Sequence, residues 1–151
     1  MSELRRMFLD RIIHYSFIAQ NKMIDKIFLE NGIPMSELGQ KIIAEVRAKA
    51  AADPEYLYPR TEAGGCSYLR NGQPSCIVGH ALWNLGLIDA QWKGDDLGIS
   101  DISHIINHEG WELTIGEIDW LSKVQDNQDN GWPWGQSVAR ADGSNRFNED
   151  V

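Results

Sequence analysis

The feature that most constrains this chain is the three- and four-residue spacing of its apolar side chains, which a helix alone gathers onto one face. Leu4, Met7, Phe8, Ile12, Tyr15, Ile18, Ile24, Ile27 and Phe28 follow that spacing until Asn31-Gly32 stops it. Leu38, Ile42, Ile43, Val46 and Ala50 follow it again behind Ser36, whose hydroxyl suits a helix start. Together the two blocks predict a helical hairpin over residues 2–52, closed by Asp53-Pro54.

Beyond it, residues 53–65 contain "EYLYPRTEAGG", which has neither helical nor strand period and reads as a linker packed on the surface through Tyr56, Leu57 and Tyr58. Asn71-Gly72 between two short runs predicts a small β-hairpin near residues 66–75. Pro74 or Ser75 should then open a short buried helix carrying Cys76, Val78, Ala81, Leu82 and Leu85, with Gly86 as terminator. Gly79 in its middle implies close approach of another backbone, with the "YLYP" linker as the candidate. Ser100 is placed to cap "DISHIINHEG", and Thr114 with Glu117 has the spacing of a capping box. "WPWGQSVARAD" adds one or two helical turns, and residues 143–151 are polar enough to fray. The expected fold is mainly α: a compact multi-helix single domain over residues 1–142, with one small hairpin.

Apolar residues make up 42% of the 151, including six tryptophans, enough for a core without staples. Apolar runs are only a few residues long, so neither an export signal nor a membrane span is expected, and a cytoplasmic location follows. In that compartment both cysteines should be free thiols, a disulfide being the alternative. The net charge of −8 is uneven: residues 89–151 hold thirteen acidic against four basic side chains. That distribution speaks against direct nucleic-acid binding and suits either a solvated face or a basic partner surface.

Both cysteines and one histidine fall within residues 66–80. Cys76 and His80 are four apart, as are His104 and His108, so each pair shares a helix face. Cys66, Cys76 and His80 with one later histidine could complete a zinc tetrahedron, although no CxxC knuckle is present. Cys76 in a first helical turn could also serve as a thiolate nucleophile. The favoured reading is structural, with cysteine used as a small core hydrophobe, so no catalytic residue and no cofactor is assigned. "DNQDNG" resembles a calcium loop, but the twelfth position counted from Asp126 is Ser137 where a glutamate is needed. No phosphate loop, dinucleotide fingerprint or serine elbow occurs, which weighs against an enzyme. Trp132 and Trp134 around Pro133 read either as a clasp closing the domain or as a partner anchor, with Asp126 and Asp129 beside them.

"CSYLRNGQPSCIVGHALWNLGLID" and "EIDWLSKVQDNQDNGWPWGQSVARAD" resemble stretches of small uncharacterised proteins of actinobacteria and their bacteriophages, over residues 66–89 and 117–142. That resemblance implies a phage accessory context and carries over no catalytic residue. The function expected from it is non-enzymatic binding of a host protein or signalling molecule. A zinc-stabilised or thiol-bearing protein and an acidic mimic of DNA are the alternatives.

Overall fold

The computed structural model describes residues 35–59, 67–97 and 101–144. The expected first helix, Cys66, Ser100 and the end of the tail lie outside them. The elements are α1 (Glu37–Ala52), β1 (Leu69–Arg70), β2 (Gln73–Pro74), α2 (Ile77–Asn84), a 3-10 turn (Gly94–Leu97), α3 (Ile102–Glu109), α4 (Ile115–Asp129) and α5 (Trp134–Ser144). The fold is mainly α with one small antiparallel hairpin, Leu69 pairing with Pro74 and Arg70 with Gln73.

Among the described residues, helix α4 touches each of the other four helices, and α1 packs along α2. The stripe read in the sequence for α1 is the buried one: Ile42, Ile43, Val46 and Ala50 all face the core. Val78 and Leu82 from α2, Ile102 and Ile105 from α3, Trp120, Leu121 and Val124 from α4, and Val138 and Ala141 from α5 complete it, with Tyr68 from the hairpin. Each large apolar side chain so buried contributes about 1.5 to 3 kcal/mol, so this core drives the collapse. Which arrangement it adopts is decided by the polar groups inside it.

Three of those groups project from α4. Glu117 is fully buried: its Oε1 accepts from Ser36 Oγ (2.6 Å) and the Thr114 N–H (2.8 Å), and its Oε2 accepts from Gln40 Nε2 (2.8 Å). The carboxylate therefore sits between the N-termini of α1 and α4, where both helix dipoles favour negative charge. Gly39 makes the approach possible, because a Cβ there would overlap the Glu117 carboxylate. Gln125 Oε1 accepts from the Ile102 N–H that opens α3 (3.2 Å), and its Nε2 donates to the Tyr68 hydroxyl (2.7 Å). Gln128 Oε1 accepts from the Ile77 N–H that opens α2 (2.9 Å) and from Trp134 Nε1 (3.0 Å). Helix starts leave N–H groups without intrahelical partners, and here α4 supplies partners inside the core. At α5 the first two N–H groups, of Trp134 and Gly135, donate to the carbonyls of Tyr56 (3.0 Å) and Pro54 (2.9 Å). Across the far side, Arg47 of α1 grips Asp142 of α5 through both nitrogens (2.9 and 2.8 Å), and Trp120 Nε1 donates to the same carboxylate (2.8 Å).

Four local expectations change. Helix α2 is capped by Cys76, with Pro74 and Ser75 outside it, because Pro74 is held in the hairpin and Ser75 Oγ is hydrogen-bonded to the Tyr58 hydroxyl (3.0 Å). Asp101 caps α3, accepting from the Ser103 N–H (2.9 Å). The backbone pressed against Gly79 is that of Tyr68 in the hairpin, and the "YLYP" linker instead closes over α5. Helix α5 runs for 11 residues, longer than one or two turns, since Trp134, Val138 and Ala141 continue the helical spacing into the core.

Replacing Gln128 with methionine keeps the volume and leaves two buried donors unpaired, the Ile77 N–H and the Trp134 indole. The expected loss is about 2 to 4 kcal/mol in urea unfolding, against a change within about 0.5 kcal/mol for the same substitution at the exposed Gln136, Gln136→Met.

Candidate functional site

The corner between α4 and α5 gathers Asp126, Asp129, Trp132 and Trp134 of the residues singled out in the sequence. Helix α4 ends with Gly131 in the left-handed region, the Trp132 N–H donating to the Asn127 carbonyl (3.1 Å) and the Gly131 N–H to that of Gln128 (3.0 Å). This closure turns the chain so that Trp132 points outward and Trp134 inward. Trp132 is 38% exposed, and the Arg140 guanidinium lies over its ring at 4.0 Å. Trp134 is 2% exposed, a burial that fits the clasp reading and not that of an exposed partner anchor. Its ring meets Tyr56 at 4.3 Å and the edge of His80 at 5.6 Å, with Lys49 Nζ 5.9 Å from its centroid.

Beside this joint the linker leaves Tyr56 at 37% and Leu57 at 59% exposure, while Tyr58 is buried under the hairpin. With Trp132 these are the exposed large hydrophobic side chains among the described residues. Leu57 and Arg140 were not legible as site residues, because nothing local distinguishes a surface leucine or arginine from any other. The one signal in the sequence was an apolar cluster in a segment with no period.

Asp126 and Asp129 lie on the last turn of α4. Partial burial raises the Asp126 pKa, and the nearby Asp101 carboxylate adds to the rise. Burial also raises that of Asp129, opposed by the hydrogen bond from Gln128 Nε2 (3.0 Å) and reinforced by Asp126. Asp101, Asp126 and Asp129 therefore form one patch of mutually repelling carboxylates joining α3 and α4.

The residues proposed for metal or thiol chemistry are dispersed. Cys76 is fully buried, and its Sγ accepts from the Gly79 N–H (3.3 Å) as the α2 cap. A nucleophile must be reached by its substrate, and a buried capping sulfur is not. His80 sits against Trp134, whereas His104 and His108 are exposed on α3, with His108 Nδ1 3.5 Å from the Glu109 carboxylate. Among the described residues no three His, Cys, Asp or Glu side chains form a group that could hold a metal ion, and Cys66 lies outside them.

Two outcomes are expected from these contacts. Cys76→Ala removes the α2 cap and should cost about 0.5 to 2 kcal/mol, while Cys76→Ser keeps an acceptor at the cap and should retain more of the stability in parallel urea melts. The His80 pKa is lowered by burial and by the Lys49 charge from its ordinary 6.5, so the unfolded chain takes up the proton more readily. His80 thus contributes stability that is complete above pH 6.5 and is lost as the pH falls through the lower folded value. His80→Gln should flatten that part of the stability profile, and an imidazole titrating at or above the ordinary value by NMR would contradict it.

Comparison with protein-family models, with curated proteins and with solved structures returns no match to this chain.

Proposed function

We propose that this chain is a non-enzymatic accessory protein of the phage type that binds a host protein through the Tyr56, Leu57 and Trp132 strip. The observation that carries the reading is the coincidence of these exposed apolar side chains with one rigid joint. Tyr56 is fixed by its carbonyl to the Trp134 N–H and by its ring to the Trp134 indole, and Trp132 is fixed by the α4 closure. Apolar and aromatic side chains held in place lose little entropy on binding and are typical anchors of interfaces. Asp53 and Glu55 adjoin Tyr56 and Leu57 in the chain and are exposed, which favours a partner with a basic face on that side, while the Arg140 guanidinium lies over Trp132 on the other. The host context rests on the resemblance over residues 66–89 and 117–142.

The test is capture from host lysate with the wild-type chain and with Leu57→Asp and Trp132→Ala. The expected partner has a basic contact face and is released more readily as salt rises. Each variant should weaken its binding by about 2 kcal/mol or more and shift Tm by no more than a few degrees. Trp134→Ala, by contrast, should cost about 3 to 5 kcal/mol of stability. A partner retained equally by wild type and both surface variants would refute the strip as the contact.

A further inference from the structure

Two Asn-Gly pairs lie among the described residues, and the fold treats them in opposite ways. Asn130-Gly131 is part of the α4 closure. Asn130 Nδ2 donates to the Asp126 carbonyl (2.8 Å), and the Gly131 N–H donates to the Gln128 carbonyl (3.0 Å). Asn71-Gly72 forms the tip of the hairpin with φ of 55° and 72°, the all-positive pair that a tight two-residue turn demands. Asn71 is exposed, and neither its side-chain amide nor the Gly72 N–H has a hydrogen-bond partner among the described residues. A positive φ at a non-glycine residue is sparsely populated. The ladder that enforces it is two residues long on each side, too short to resist local opening.

We propose that Asn71 is a self-modification site, converting through a cyclic imide with Gly72 to aspartyl and isoaspartyl residues, while the same dipeptide at Asn130-Gly131 is held inert by its hydrogen bonds. The deprotonated Gly72 nitrogen attacks the Asn71 Cγ. A C–N bond forms, the Cγ–Nδ2 bond breaks, and Nδ2 leaves as ammonia, its own two hydrogens joined by the one proton that the Gly72 amide gave up. Water then adds to either imide carbonyl and reopens the ring. Attack at one carbonyl restores the main chain with an aspartate, and attack at the other routes it through the side chain, adding a methylene to the turn. No redox partner is required.

The modified tip bears on the core. Immediately before β1 lies Tyr68, whose backbone rests on Gly79, whose N–H donates to Asp95 (3.1 Å), and whose carbonyl accepts from Ser75 (2.9 Å). A lengthened turn disturbs the register that holds this backbone against α2. The change also adds a carboxylate to a chain of net charge −8.

The experiment uses the unmodified chain, incubated folded in mildly alkaline buffer and, in parallel, in denaturing urea. Peptide mapping then follows amide-to-acid conversion and isoaspartate at each site. In the folded protein Asn71 should convert about tenfold or more faster than Asn130, because the closing hydrogen bonds must open first at Asn130. In urea the ratio should fall close to unity. Equal rates in the folded chain, faster conversion at Asn130, or an unconverted Asn71 would each overturn the proposal. A ratio that persists in urea would do so as well, since it would assign the difference to neighbouring sequence and not to the fold.

Discussion

A helix start buried in a protein core needs hydrogen-bond acceptors that are themselves dry, and α4 supplies them to its neighbours. Glu117 serves the Ser36 and Gln40 side chains at the start of α1, Gln125 the start of α3 and Gln128 the start of α2. Each is one of the buried polar side chains of the structure. Apolar attraction is non-directional, so it specifies the positions of α1, α2 and α3 along α4 less sharply than hydrogen bonds do. A slide of one turn would strand a donor in the core, and such a group costs about 1 to 3 kcal/mol. The polar side chains therefore select one register out of several that the apolar surfaces would tolerate.

The opposite end of the assembly is tied differently. Asp142 accepts two hydrogen bonds from Arg47 and one from Trp120, and Arg47 also lies 4.7 Å from the Trp120 ring centroid. The guanidinium depresses the Asp142 pKa, so this tie weakens only as the pH falls below the ordinary carboxylate range. It is half-exposed and worth correspondingly little by itself. Its role is directional, since it fixes how far α5 can rotate while Trp134 occupies the pocket made by Tyr56, His80 and Gln128.

What could be read in the sequence was whatever acts over a few residues. The α1 stripe with its Ser36 cap, the Thr114–Glu117 capping box, the Asn71-Gly72 turn and the glycine stop at Gly86 all appear where the spacing placed them. The long-range roles were hidden. Glu117 announced itself as a cap of its own helix, yet nothing nearby said that Ser36, 81 positions away, shares its oxygen. Gln125 and Gln128 look like surface glutamines by type. Gly79 correctly signalled a close backbone, but the sequence could not say whose. Trp132 and Trp134 were indistinguishable in sequence, and the helix closure between them is what sends one out and one in. The Cys and His set had metal-like spacing along the chain, and the fold puts His80 against an indole and leaves His104 and His108 in solvent.

The dependence on α4 also orders events during synthesis. The Ile77 N–H finds its acceptor 51 residues further along the chain, and the Ser36 hydroxyl waits for a residue 81 positions on. As the chain emerges from the ribosome, α1 and α2 can pair through their apolar faces, but the first turn of each stays wet until Glu117 and Gln128 arrive. A chain truncated before α4 therefore keeps the local Ser36 and Cys76 caps but leaves the Ser36 hydroxyl and the Ile77 N–H without the acceptors that dock α1 and α2 in their final places.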